Sequence, residues 1–263
     1  MPDDVEGGCW PGPADLHCLD VFSRSGKIAQ AFTRREFRSS QFDIATSVEE
    51  DITTEKGFAT LILKGLRLLP NGFVMLAPPC SMFTFFSSSQ HGRSWWGAWG
   101  NPMDPSTKLA NLIAVNTVIF MMVIKRARRA QMLLEQPRGS WLLKLPPVLE
   151  LIAEFHLQRI STHLIFWGHV LEKPTTLVGD LEGMDQLQRT MTKDARRKFQ
   201  KRRKKVLWLT PDHPNHANAH HGMYVKDSKG KVHGTTLLAK SAIYPYRFCN
   251  DIARLWMQSW NPQ

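Results

Sequence analysis

Two side chains in this sequence have the types and settings of reacting groups: Cys80, in FVMLAPPCSMF, and Glu135, in LLEQP. The apolar run Phe73–Ala77 reads as a strand that enters two prolines, which fix the backbone, before presenting Cys80. A cysteine that leaves a strand into a polar loop is exposed enough for thiolate chemistry. A buried, inert cysteine after a Pro-Pro turn is the alternative. Met132–Glu135 reads as a second short strand, which delivers Glu135 to the same sheet edge. Beside a thiol, that carboxylate is a candidate general acid or hydrogen-bonding group; alone, it is a capping acid.

A second group of residues has the setting of a ligand site. The run LDVFSRSGKIAQAF, with Asp20 inside it, reads as a strand ending in small residues and opening a helix, which aims backbone N–H groups at a ligand. Asp43 is expected at the end of the next strand, with a carboxylate suited to ribose hydroxyls, and Asp51 further on, suited to an adenine amino group. The turn, Asp43 and Asp51 are all expected at the carboxyl ends of successive strands, where open α/β sheets bind ligands.

The elements that would position these groups alternate. Strands are expected at Leu16–Phe22, Phe42–Ile44, Phe73–Ala77, Met132–Glu135, Leu157–Ile160 and His163–Trp167. Helices are expected from about Lys27 and over Phe58–Leu69, Lys108–Ala130 and Pro147–Phe155. This pattern predicts an α/β fold with a mostly parallel sheet. Residues 1–15 read as a flexible tail, 16–170 as the main domain, and 171–236 as a small, irregular, basic and His-rich insertion. Residues 237–263 return as a closing helix with Pro245 in its first turn. The acidic, Pro/Gly-rich start lacks the pattern of a signal peptide, and the apolar run Leu109–Ile124 is short for a membrane span and carries Asn111 and Asn116. Four scattered cysteines without CxxC spacing exclude a disulfide framework and suit a reducing, intracellular setting.

The ordered series DVFSRSG, FDI, DI, APPCS, LLEQP and YPYRFCNDIA resembles the motif series of the cytosine-5 DNA methyltransferases, over residues 16–168 and 237–256. The resemblance implies a Rossmann-like, S-adenosylmethionine-dependent methyltransferase fold. It implies Cys80 as the nucleophile toward carbon 6 of a flipped cytosine in DNA, Glu135 on ring nitrogen 3, and Arg159 as the nearest remnant of a family arginine. It further implies a cofactor bordered by Asp20, Phe22, Ser23, Gly26, Ile44 and Pro78, with Asp43 on its ribose and Asp51 and Ile52 near its adenine. The sequence departs from the family in Arg24, where a turn glycine is expected, and in EQP, where the family has ENV. Two other readings stay open: a catalytically inactive nucleic-acid-binding module with the same fold, and an RNA cytosine methyltransferase.

The net charge of +11 is concentrated between Lys193 and Lys205, where nine basic residues accompany one acid. Arg196, Arg197, Lys198, Lys201, Arg202, Arg203, Lys204 and Lys205 are candidates for phosphate contact, for a nuclear import signal, or for a solvated helix face. Trp95, Trp96 and Trp99 in the loop after Cys80 are suited to stacking on bases, or to packing the loop on the domain. His213, His216 and His220 have spacings open to zinc, yet Pro214 and the lack of further ligands favour a polar loop, and no metal is expected.

Overall fold

The computed structural model describes residues 13–169, 171–208, 219–220, 224–226, 232–234 and 242–260. The first half runs β1 (Leu16–Val21), α1 (Lys27–Thr33), β2 (Ser39–Phe42), α2 (Glu55–Leu66), β3 (Leu68–Leu76), α3 (Ser88–His91) and α4 (Pro105–Arg128). There follow β4 (Gln131–Pro137), α5 (Pro146–Glu154), β5 (Gln158–His163), β6 (Pro174–Gly179), α6 (Lys193–Trp208) and a closing helix, α7 (Tyr246–Ser259). Six strands form one sheet in the order β2-β1-β3-β4-β6-β5. β1, β2, β3 and β4 pair in parallel, and β6 lies antiparallel between β4 and β5. A separate three-stranded sheet joins β7 (Ala219–His220), β8 (Tyr224–Lys226) and β9 (Val232–Gly234). The architecture is α/β with a mostly parallel mixed sheet, compatible with a Rossmann-like fold.

The two-residue period of the strands divides the core into two layers. Leu19, Val21, Val74, Leu76, Met132 and Leu134 face one way, with α2, α4 and α5. Cys18, Phe73, Met75, Leu133 and Leu177 face the other, with α1 and α7. The helices start where side chains satisfy their first N–H groups. Thr54 Oγ1 accepts from the Gly57 N–H at 3.0 Å, and Asp104 Oδ2 from the Thr107 N–H at 2.8 Å. Helix α4 is long and apolar enough by length and composition to cross a membrane; in this fold it covers β3 and packs on α2 and α5. Strand order reverses between β1 and β3, and the carboxyl ends of these strands form the crevice where such sheets take ligands.

Three expectations are corrected. Residues 174–179 are not part of an irregular insertion: PTTLVG forms β6 in the middle of the main sheet, because Thr175–Val178 are buried on both faces. Residues 163–167 are not a further strand, since Leu164–Trp167 is a 3-10 turn closed by Gly168 at φ +89° and β5 ends at His163. Asp51 is not at a strand end. It follows the 3-10 turn Val48–Glu50 and precedes α2. Residues 1–12, His213 and His216 lie outside the described residues.

The start of α2 is pressed against the backbone at Asp51. A Cβ at Gly57 would lie 1.9 Å from the Asp51 carbonyl oxygen, which cannot retreat without moving the chain. Gly57→Ala is expected to cost about 1–3 kcal/mol of stability by overpacking, although alanine is the better helix former. Urea denaturation measures it; an unchanged or raised midpoint would show that the segment yields freely.

Candidate active site

Cys80 stands three residues beyond a hydrogen bond that ties the end of β3 to β1, Ala77 N–H to the Val21 carbonyl at 3.2 Å. The Pro-Pro segment is braced from β4. The Gln136 side-chain amide donates to the Pro78 carbonyl at 2.8 Å, and its oxygen accepts from the Ser140 hydroxyl at 2.9 Å. Gln136 and Ser140 are both buried, so the brace is shielded from water. Beyond the cysteine, Phe83 N–H donates to the Cys80 carbonyl at 2.9 Å, and Trp141 N–H to the Phe83 carbonyl at 2.8 Å. The thiol is partly buried. Burial pushes its pKa above the ordinary thiol value, the charge of Glu135 pushes it further, and Lys173 opposes both.

Glu135 is only 6% exposed. Its Oε2 accepts from the Tyr244 hydroxyl at 3.0 Å, whereas Oε1 has no hydrogen-bond partner among the described residues and lies 3.9 Å from Lys173 Nζ. Burial, with the neighbouring carboxylate, holds the Tyr244 phenol well above its ordinary pKa. Cys80, Glu135, Tyr244 and Lys173 thus form one cluster at the carboxyl edge of β3 and β4.

Arg159 is not in this cluster. It is exposed, and it pairs in register with Val178, which pairs with Leu134. Its side chain therefore lies on the face opposite that of Glu135, which aligns with Leu177 and Ile160.

The expected cofactor residues divide. Phe22, Arg24 and Gly26 adopt φ of 59°, 44° and 60°, a left-handed turn in which only Gly26 is unstrained. Asp43 clamps this turn to the next one: Oδ2 accepts from the Arg24 N–H at 2.7 Å and Oδ1 from the Ala45 N–H at 2.8 Å. Ser23 bonds Gln41, Ile44 is exposed, and Pro78 is buried at the end of β3. Asp20 is sealed beneath α1, where Oδ2 accepts from the Ala29 N–H at 3.2 Å; its burial removes it from the ligand edge. Asp51 Oδ1 accepts from the backbone N–H and hydroxyl of Thr53, and Ile52 is buried in the core with its carbonyl held by Asn116.

The loop after Cys80 is packed. Buried Arg93 donates to the carbonyls of Met82 and Ala98 and to Asn111 Oδ1, and lies over the Phe83 ring. Trp99 packs on the core, and Lys144 Nζ sits 3.3 Å from the centroid of Trp95. Trp96 is 99% exposed. On α6, Arg197, Lys198 and Lys201 are exposed, whereas Arg196 pairs with Glu172 at 3.0 Å. The side chains of Arg202, Arg203, Lys204 and Lys205 lie outside the described residues.

Sequence reasoning missed Lys173, Tyr244 and Gln136 as site residues. The Lys-Pro step before the β-branched run TTLV, the YPY opening of the last helix and the buried setting of EQP were the available signals. Comparison against known protein families and against curated proteins found no match to this chain.

Burial raises the Asp20 pKa from 3.8 to about 7. The folded protein therefore holds this proton more tightly than the unfolded chain does. The stability it contributes, on the order of 4 kcal/mol, is present below about pH 4 and lost as pH rises through about 7. Asp20→Asn keeps an acceptor for the Ala29 N–H without the charge. Its melting temperature should overtake that of the wild type as pH rises from 4 to 8; parallel curves would place the titration elsewhere.

Proposed function

We propose that this chain is an S-adenosylmethionine-dependent methyltransferase acting on carbon 5 of cytosine in DNA through a covalent adduct at Cys80. One observation carries the reading. Beside the thiol, Glu135 is buried with Oε1 lacking a hydrogen bond, which is costly unless a ligand donor completes it. A cytosine edge, with its amino group and its ring nitrogen once protonated, supplies such a donor.

The cofactor fits the carboxyl edge of β1 and β2 in part. The left-handed turn Phe22–Gly26 and the Asp43 clamp border the crevice at the strand-order reversal, with Ile44 exposed beside them. Phe22, Ser23, Asp43 and Ile44 would hold the cofactor there, and S-adenosylmethionine supplies an electrophilic methyl group when bound. The Cys80 thiolate adds to carbon 6 of the flipped base, forming an S–C bond, and the ring electrons move toward nitrogen 3, where Glu135 holds the proton. This addition makes carbon 5 nucleophilic. Once carbon 5 carried the methyl group, its proton would pass to water, and the electrons of that C–H bond would expel the thiolate and restore the ring. The Gln136 brace on Pro78 keeps the sulfur in place throughout.

An inactive nucleic-acid-binding module is the second reading. It is favoured by Asp43, both of whose carboxylate oxygens already receive backbone N–H groups. DNA containing 5-fluorocytosine separates the two, because fluorine cannot leave as a proton does and the adduct persists. With cofactor, the active protein should form a stable complex mapped by mass spectrometry to Cys80. Cys80→Ser should abolish it, and Glu135→Gln should slow it with cofactor affinity unchanged. No adduct, or one at Cys249, rejects the enzymatic reading.

In either reading the basic helix contacts phosphate. Replacing Arg197, Lys198 and Lys201 with alanine should flatten the slope of log DNA affinity against log salt by about 2–3. Arg196→Ala should change it less, because Glu172 already pairs with that guanidinium. Equal slopes for the wild type and the triple variant would locate DNA contact off this helix.

A further inference from the structure

We propose that Lys173 is the positioning residue of this site, its ammonium group holding the carboxylate of Glu135 and supplying positive charge beside the Cys80 thiol. Its catalytic meaning rests on the methyltransferase reading; its action on the thiol does not.

Lys173 immediately precedes β6, the strand inserted next to Glu135. Its Nζ lies 3.9 Å from Glu135 Oε1, the oxygen without a hydrogen bond, and 5.1 Å from the centroid of the Tyr244 ring. The Lys173 side chain is mostly buried, and the carboxylate it faces is buried too, so the pair is screened less than a surface pair would be. The backbone at Lys173 has φ +36°, a strained conformation for a residue with a side chain. Contacts at its own carbonyl and at Glu172 hold it there. Its carbonyl accepts from the Leu164 N–H at 3.2 Å and from the Thr175 hydroxyl at 3.1 Å. Glu172, one residue earlier, is anchored by Arg196 at 3.0 Å and lies 3.4 Å from His163.

The groups facing Glu135 are Cys80 from the loop after β3, Tyr244 from the segment before α7, and Lys173; Asp20 of β1 and Cys249 of α7 in turn act on Tyr244. Among the described residues Lys173 is the cation of this set, since Arg159 points from the other face. A buried thiol beside a carboxylate ionises reluctantly, and a nearby cation reverses part of that penalty.

The test is alkylation of Cys80 by iodoacetamide in the full chain, from pH 6 to 10, without DNA or cofactor. Sulfur forms a bond to the reagent's carbon and iodide leaves; peptide mass spectrometry follows Cys80 alone. Lys173→Met should move the profile to higher pH and slow alkylation at pH 8 on the order of 3- to 10-fold. Lys173→Arg should restore the profile, and Glu135→Gln added to Lys173→Met should recover the rate. Lys173→Gln repeats the comparison with a polar, uncharged side chain. A neutral variant with a wild-type melting temperature and an unshifted profile overturns the proposal, as does unfolding of both neutral variants. If the profile shifts as expected but 5-fluorocytosine DNA leaves no adduct, the methyltransferase reading fails while the role of Lys173 stands. An adduct with an unshifted profile removes the role of Lys173 alone.

Discussion

Keeping a carboxylate out of water at the end of β4 governs how the edge of this sheet is built. Removing a carboxylate from solvent costs several kcal/mol unless partners replace the water. Glu135 obtains its partners from two distant stretches of chain: Tyr244, at the entrance to α7, and Lys173, at the entrance to β6. Neither arrives without a topological commitment. β6 must run antiparallel between β4 and β5, and α7 must return across the face already covered by α1. The phenol supplies a hydrogen bond and the ammonium a charge, yet one oxygen keeps unused accepting capacity. A fold that gathers partners from so far and leaves that oxygen incomplete retains a place for one more donor.

The thiol beside it is held by different means. The Pro-Pro segment is fixed by the buried amide of Gln136, with Ser140 behind it. Past the cysteine the chain is anchored by Arg93, a buried guanidinium satisfied by two carbonyls, the Asn111 amide oxygen and the face of Phe83. Burial lowers its pKa to about 10, so it stays charged at neutral pH. Rigid anchoring on both sides of Cys80 places the sulfur, while Trp96 remains fully in solvent on the same loop. This separation suits a loop whose base positions a reacting atom and whose tip meets a large partner.

The strand positions of Cys80 and Glu135 were legible because a short apolar run ending in proline or an acid leaves few alternatives. The alternating elements were legible for the same reason. β6 was not. Its six residues include Pro174 and Gly179, which read as loop signals, and its burial on both faces hides the two-residue alternation. With β6 went Lys173, whose nearness to Glu135 exists only once the strand is inserted. Arg159 was misread for a related reason: it is near in sequence and register, but one residue's alternation turns it to the other face. Asp20 looked like a ligand acid because it lies in the right strand, whereas only packing reveals that α1 closes over it.

Helix α6 poses the opposite electrostatic problem. Lys193, Arg197 and Lys201 recur at four-residue spacing, as do Lys198 and Arg202, and such like-charged neighbours destabilise a helix in water. Asp194 is the one acid within the basic run, and Arg196 is drawn off to Glu172. A polyanion lying along the helix would remove the repulsion. The anchor of that helix and the cation of the thiol site are consecutive residues, Glu172 and Lys173, reaching different partners, with the backbone strained at Lys173. The placement of the charged helix and the placement of the charge beside Cys80 are therefore a single backbone constraint.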